Sequence, residues 1–159
     1  MRLQRCSADA WEVCDIPVFF EKTLRDLPHL ASLHDEARSR LYPEPVENDG
    51  SDDLRNDWRE HVHPELERLF ASSRKIVSAD LLRLKVDEKG LRLVIPATNF
   101  DAWLNTLNQA RLSIAERNGF GEEELNHEMF PDVSTQQGMD LLRMQFYAFL
   151  QELLLGALD

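Results

Sequence analysis

The sequence has few cysteines, few basic residues and no long apolar run. The two cysteines, Cys6 and Cys14, are too few to cross-link a chain of 159 residues, and neither belongs to a C-x-x-C or zinc-ligand spacing. We therefore expect free thiols and a cytoplasmic location. No stretch has the apolar length of a membrane span, and the first residues lead into no apolar segment of the signal-peptide type.

The shortage of basic residues makes the chain strongly acidic. Eighteen Lys and Arg residues stand against 29 Asp and Glu residues, which gives a formal net charge of −11. Proteins that bind nucleic acids or anionic membranes use Lys and Arg to neutralise phosphates. The composition therefore predicts no nucleic-acid partner and no membrane partner, and it disfavours a helix-turn-helix DNA-binding function, which is the third reading.

Sequence motifs for catalysis and cofactor binding are also missing. The sequence contains no P-loop, no G-x-G-x-x-G, no G-x-S-x-G and no H-E-x-x-H, so we expect no cofactor and leave an enzymatic function unsupported rather than excluded. His61 and His63 are the nearest approach to a metal site. Residues two positions apart point away from each other on a helix, so we predict no metal site there.

The most regular pattern predicts a central helix from Phe100 to Arg117. Its apolar residues have the spacing of one helical face: Phe100, Trp103, Leu104, Leu107, Ala110 and Ile114. Thr98 and Asp101 have the spacing of a capping box, and Gly119 is suited to end the helix in the left-handed conformation. We predict that Trp103 lies in the core.

Two β-hairpins are predicted, one on each side of the chain's middle. The first runs from Leu3 to Cys14, and the second has arms at 82–86 and 91–95 around the turn at 87–90. Ile16-Pro17 after the first hairpin resembles Ile95-Pro96 after the second, and a helix pattern follows each. The chain is therefore interpreted as two hairpin–helix units that share one antiparallel sheet, with chance similarity as the alternative.

The remaining helices are read from apolar periodicity and proline positions. Asp15 is predicted to cap a helix that Pro28 ends or kinks, with a buried face of Phe19, Phe20, Leu24 and Leu27. A second helix follows with Leu30, Leu33, Ala37 and Leu41 on one side. A long helical stretch begins at Ser51 or Asp52 and is kinked or broken at Pro64. A short acidic helix spans 122–128, and the last helix runs from about Thr135 to Leu158.

These elements predict a mainly α protein, a helical bundle with a small antiparallel β-hairpin sheet, with an α+β fold as the alternative. Residues 1–159 are expected to form a single domain, because neither side of the Pro43–Asp53 segment is large enough to fold well alone. The acidic part of that segment, 44–53, is expected to be a mobile surface loop.

Two arginines within apolar stripes form the candidate polar site. Arg111 lies in the central helix and Arg143 in the last one, and a buried guanidinium needs an acceptor. One reading is an anion-binding pocket built from Arg111, Asn108, Arg143 and Glu152. The favoured reading is internal pairing, with Glu152 as the expected partner of Arg111.

The last helix is apolar on two sides, which favours a homodimer. We predict that its core face is Leu142, Phe146, Phe149, Leu150, Leu153 and Ala157. The opposite side is then a candidate dimer surface made of Leu141, Met144, Ala148 and Leu155. The alternative is a helix that is buried on all sides within one chain.

Two stretches resemble the signatures of a known protein family. Residues 103–112 are similar to a W-L-x-x-L-N-x-x-R-L signature, and 147–152 are similar to a Y-x-x-L-Q-E signature near the C-terminus. The family is bacterial, mainly actinobacterial, and is described only as a domain of unknown function. The resemblance covers most of the chain, is weakest at the N-terminus and implies no catalytic residues.

The sequence as a whole favours a non-catalytic interaction or regulatory module with an unknown protein partner. The alternative is a small-ligand or anion-binding protein, or an unrecognised enzyme, that uses Arg111 and Arg143. A convergent polar pocket would favour the alternative, whereas an exposed apolar surface would favour the interaction module.

Overall fold

A computed structural model describes residues 1–32, 52–125 and 130–159 and combines a helical bundle with one small sheet. The strands are β1 (Arg2–Ser7), β2 (Ala10–Ile16), β3 (Lys85–Asp87) and β4 (Gly90–Pro96). The helices are α1 (Glu21–Ala31), α2 (Asp52–Asp57), α3 (His63–Leu81), α4 (Phe100–Asn118), α5 (Glu122–Leu125) and α6 (Gln136–Gly156). The prediction of a mainly helical protein with a small antiparallel sheet is confirmed.

The two hairpins share one sheet, as the internal similarity predicts. All neighbouring strands are antiparallel, in the order β1-β2-β4-β3, and Val13 of β2 pairs with Leu93 of β4 at the junction. Each central strand leads through a proline into a short 3-10 turn and then a helix. These turns are Val18–Phe20 before α1 and Ala97–Asn99 before α4. Because β2 and β4 run in opposite directions, the two turns lie at opposite ends of the sheet.

The junction between the hairpins depends on an irregular residue and a glycine. Asp15 interrupts the β2 register with a φ of 56°, and its carboxylate pairs with Arg2 at 3.1 Å. Gly90 faces this irregularity with a φ of 132°, and a Cβ there would lie 2.4 Å from the carbonyl oxygen of Ile16. The prediction that Asp15 caps a helix is wrong, because β2 continues to Ile16 and the helix begins only at Glu21.

Three other boundary predictions need correction. Pro28 does not end α1, which continues through it to bury Leu30 and Ala31. The capping box at Thr98 is absent, because a 3-10 turn precedes α4 and the cap residue Asn99 has no capping side-chain bond. Asp52 begins α2, as one of the two predicted starts of the long helical stretch, so Asp52 and Asp53 do not belong to the predicted loop. The rest of the predicted loop and the second helix beyond Ala31 lie in 33–51, outside the described residues.

The irregularity predicted at Pro64 takes the form of a π-helical segment just before it. This segment, Trp58–Val62, joins α2 to α3, and Pro64 lies in the first turn of α3. The helical hydrogen bonding continues into α3, since the N–H of His63 bonds to the carbonyl of Trp58, and Pro64 follows as a residue with no N–H to donate. Gly119 ends α4 in the left-handed conformation with a φ of 66°.

The core lies between one face of the sheet and the helices. Helix α4 is central, since it contacts α1, α3 and α6. Trp103 is fully buried, as predicted, and it packs in one cluster with inward side chains of β2 and β4 such as Val13 and Leu93. The opposite face of the sheet carries polar groups. There Glu12 accepts hydrogen bonds from Gln4 at 2.9 Å and from Arg92 at 2.5 Å.

Candidate functional site

Arg111 is half-buried and is paired with a neutral side chain. Its Nη1 donates a hydrogen bond to Gln151 Oε1 at 2.7 Å, and Gln151 Nε2 donates to the carbonyl of Leu104 at 3.3 Å. The expected partner, Glu152, is exposed and acts on Arg111 only through its charge. Burial lowers the pKa of Arg111, and the negative charge of Glu152 opposes this shift. The prediction that Glu152 is the hydrogen-bond partner of Arg111 is therefore wrong, because the neighbouring and neutral Gln151 takes that place.

Arg143 belongs to a separate network around a buried carboxylate. Its Nη1 donates to Asp140 Oδ1 at 2.9 Å, while Asn118 Nδ2 and Arg117 Nη2 lie 3.2 Å and 3.5 Å from Asp140 Oδ2. Gln136 Nε2 donates to Asp140 Oδ1 at 3.1 Å. This network joins the start of α6 to the end of α4. It gives Arg143 the internal partner that the favoured sequence interpretation required.

The four residues of the predicted polar site do not converge. The partners of Arg143 and Arg111, Asp140 and Gln151, are eleven positions apart on α6, or roughly 16 Å along a helix. Asn108 is exposed, as is Glu152. The geometry therefore leaves Arg111 alone as a candidate anion-binding group. The Nε atoms of both arginines are buried without an acceptor among the described residues, but Arg143 is paired with a carboxylate and Arg111 with a neutral amide.

The strip predicted as a dimer surface mostly faces inward. Met144 is fully buried, Leu141 and Ala148 are nearly so, and only Leu155 is exposed. Conversely, Phe149 of the predicted core face is 41% exposed. The orientation follows from the polar groups of α6. Asp140, Tyr147 and Gln151 share the side of Met144 and find partners on α4 and α1, including a 2.6 Å hydrogen bond from the Tyr147 hydroxyl to the Thr23 carbonyl.

A row of four phenylalanines joins the first 3-10 turn to the outer side of α6. Phe20 stacks on the buried Phe146, with ring centroids 4.1 Å apart and an interplanar angle of 7°. Phe19 meets Phe20 edge-on at 5.3 Å, and Phe149 lies one turn beyond Phe146. We call Phe19, Phe20, Phe146 and Phe149 the phenylalanine row. Its two ends, Phe19 and Phe149, are 61% and 41% exposed.

Sequence analysis missed this row because it assigned both of its exposed ends to buried faces. Phe19 was predicted to lie on the inner side of α1, but it belongs to the 3-10 turn that precedes the helix. The internal similarity between the two hairpin–helix units did contain a signal for the exposed position of Phe19. Val18 and Phe19 correspond to Ala97 and Thr98 when Pro17 is matched to Pro96, so the second unit has small residues where the first has large apolar ones.

The described residues contain no group of three or more His, Cys, Asp or Glu side chains placed to hold a metal ion. His63 Nδ1 lies 3.7 Å from Glu67 Oε1 on the same face of α3. Both thiols are free, Cys6 exposed and Cys14 buried. Among the helices described, none has the length and apolar character needed to cross a membrane.

Comparison with known proteins connects the chain to one family. A family model described as a domain of unknown function, DUF2017, matches residues 9–158, from the first turn to the end of α6. No curated protein and no solved structure matches the chain. Since the family model spans nearly all of the sequence, the chain belongs to the DUF2017 family.

Proposed function

We propose that this protein is a non-catalytic interaction module and that the phenylalanine row is its binding surface. The observation that carries the proposal is the exposure of Phe19, which meets Phe20 where Phe20 stacks on Phe146, and of Phe149 one helical turn beyond Phe146. Contiguous exposed apolar groups on a folded protein mark interaction sites, and aromatic residues are enriched in the cores of interfaces.

The rigidity of the row supports this proposal. Phe20 is held by stacking on Phe146, whose side chain is buried in the core, and Phe19 is held by its edge contact with Phe20. A side chain that is ordered before binding loses less conformational entropy when a partner covers it. Phe19 is therefore suited to anchor a partner.

The second 3-10 turn, Ala97–Asn99, indicates that the fold does not require large apolar side chains at Val18 and Phe19. Ala97 and Thr98 occupy the equivalent exposed positions in this turn. Like the first turn, it has a proline as its cap residue and leads into a helix. Val18 and Phe19 are 51% and 61% exposed, so they contribute little burial to the chain itself. A function outside the fold best explains why large apolar residues stand there.

Site-specific photo-crosslinking in native cells tests this proposal. A benzophenone amino acid at Phe19 should give specific crosslinked proteins, and the same group at Thr98 serves as the matched control at the opposite end of the sheet. Crosslinked products should form from position 19 and not from position 98. An identical background pattern from both positions would contradict an interaction surface at the phenylalanine row.

Anion binding at Arg111 is the second candidate, favoured by its buried Nε without an acceptor among the described residues. An anion at this position would also offset the burial that lowers the pKa of Arg111. Inorganic phosphate and sulfate should then raise the melting temperature of the wild-type protein more than that of Arg111→Met. Equal responses of the two proteins would remove this candidate.

A further inference from the structure

We propose that the partner covering the phenylalanine row is a second copy of this chain, in a two-fold symmetric homodimer. This inference rests on the proposed function, since it names the partner of the same surface. It also moves the expected dimer interface away from Leu141, Met144 and Ala148, which are buried, to the outer side of α6 and the first 3-10 turn.

The charges beside Phe19 support a second copy. A shallow, open depression next to Phe19 is lined by Val18, Phe19, Glu21, Lys22, Arg25 and Asp26. Four of these residues are charged: Glu21, Lys22, Arg25 and Asp26. We call them the rim, and with two acids and two bases the rim is neutral on a chain of net charge −11. Two such chains repel each other over most of their surfaces, and a neutral rim is where they can approach with the least repulsion.

The order of these charges makes the rim complementary to itself. Lys22 pairs with Asp26, and Arg25 pairs with Glu21 at 2.9 Å, so two side-by-side ion pairs of opposite order lie on the exposed side of α1. Exposed pairs of this kind contribute little stability and exchange partners readily. A two-fold axis across this side of α1 brings the bases of one copy to the acids of the other, because both copies present the same surface.

The shape of the surface is also reciprocal. Phe19 is exposed and lies at the depression that it helps to line, so a two-fold arrangement places Phe19 of each copy against the depression of the other. The interface then buries Val18 and Phe19 from both copies around a polar rim. A buried aromatic anchor within a charged rim is the usual anatomy of a specific interface.

Sedimentation velocity on the purified full chain, at about 0.05 M and about 0.5 M NaCl, tests the homodimer. Both salt concentrations are used because salt screens the repulsion between the acidic copies and the attraction between charge pairs across the interface alike. We expect a dimer at micromolar concentration. A monomer at both salt concentrations would overturn the inference.

Two variants locate the interface. The double substitution Val18→Ala with Phe19→Thr introduces the residues found at Ala97 and Thr98 in the second 3-10 turn. It should raise the dissociation constant of the dimer by at least about tenfold, as expected for loss of an aromatic anchor. Lys22→Glu with Arg25→Glu makes the rim wholly acidic and should prevent dimerisation in low salt. Leu155→Ser, on the one exposed residue of the strip predicted from the sequence, is the control and should leave the dimer intact. An unchanged dimer in both double variants would overturn the inference.

The crosslinking and sedimentation experiments separate this inference from the proposed function. A monomeric purified chain that still crosslinks from position 19 to a different protein in cells would reject the second copy and retain the interaction surface. A monomer without specific crosslinks from position 19 would reject both.

Discussion

At the scale of single residues, Trp103 connects the apolar core to a buried carboxylate. Its ring is fully buried, and its Nε1 donates to Asp80 Oδ2 at 2.9 Å. Asp80 also accepts a 2.9 Å hydrogen bond from Asn99 and pairs with Arg83. The end of α3 and the start of α4 are thus held together by one carboxylate.

We predict that Trp103→Ala lowers the free energy of unfolding by on the order of 3–5 kcal/mol, through lost burial and a cavity. It also leaves one hydrogen-bonding position of buried Asp80 unsatisfied. Urea unfolding measures the change. Leu82→Ala is the control, because Leu82 is 85% exposed and its truncation should alter stability by no more than about 0.5 kcal/mol. Similar small effects of both substitutions would contradict the central role of Trp103.

Two glycines of α6, Gly138 and Gly156, differ in the space that a side chain would find around them. A Cβ at Gly138 would lie 1.8 Å from the carbonyl oxygen of Asp132, whereas a Cβ at Gly156 would meet nothing within 4 Å. The Asp132 carbonyl cannot move freely, since it accepts a 3.0 Å hydrogen bond from the hydroxyl of Thr135, the cap residue of α6. The backbone before α6 therefore passes too close to the helix for any side chain at position 138.

We predict opposite effects for alanine at these two glycines. Gly138→Ala should lower the melting temperature, because it displaces the backbone that caps α6. Gly156→Ala should raise stability by up to about 1 kcal/mol, through the higher helix propensity of alanine. Thermal unfolding followed by circular dichroism distinguishes the two variants. If Gly138→Ala proved as stable as Gly156→Ala, the close approach of Asp132 would be wrong.

At the scale of elements, periodicity was sufficient to locate most helices and strands. The central helix, both hairpins and the last helix were found because apolar spacing and turn residues depend on local sequence. The orientation of α6 was not found. Its apolar residues surround the helix, and its inward side is selected by Asp140, Tyr147 and Gln151, which bond to α4 and α1. Apolar periodicity assigns such polar residues to solvent, so it placed the dimer strip on the wrong side and counted the exposed Phe149 in a core face whose Phe146 and Leu150 are indeed buried.

The candidate site was equally hard to infer for a physical reason. The stacking of Phe20 on Phe146 joins residues that are far apart in sequence, and no local pattern encodes it. Phe19 was assigned to a buried face because helix α1 was expected to begin at Asp15. Once the 3-10 turn replaces that first helical turn, Phe19 points outward.

The polar face of the sheet predicts a specific dependence of stability on pH. The hydrogen bond from Arg92, aided by that from Gln4, holds the pKa of Glu12 below its ordinary value, although burial acts in the opposite direction. A carboxylate whose pKa is lower in the folded state stabilises the fold at pH values above its unfolded-state pKa. That contribution is lost as the pH falls through the folded-state pKa.

We therefore expect Glu12→Gln to lose stability at neutral pH and to depend less on pH than the wild type below about pH 5, near the ordinary range of glutamate. Chemical unfolding at several pH values measures this difference. Glu88→Gln, in the exposed turn before Gly90, removes the same charge without touching Arg92 and is the control. Parallel stability curves for wild type and Glu12→Gln would show that this hydrogen bond contributes nothing to the acid response.

At the scale of the whole molecule, the pairing of β2 with β4 joins the two hairpin–helix units into one sheet. Val13 and Leu93 pair at its centre, and both are fully buried against the helices. Helix α4, which belongs to the second unit, contacts α1 of the first. Neither unit can therefore open at the junction without exposing part of the shared core, so the two units should unfold together.

Native-state hydrogen exchange tests this coupling, because the slowest amides report the most complete unfolding. We expect the amides of the β2–β4 ladder and the middle of α4 to exchange slowest and with the same free energy of opening. The amides of the edge strand β3, whose three residues are all exposed, should exchange faster. Much faster exchange throughout β2 and α1 than in β4 and α4 would mean that the first unit opens alone. In that case the shared sheet would join two separate folding units, and the paired residues Val13 and Leu93 would contribute less to global stability than their complete burial predicts.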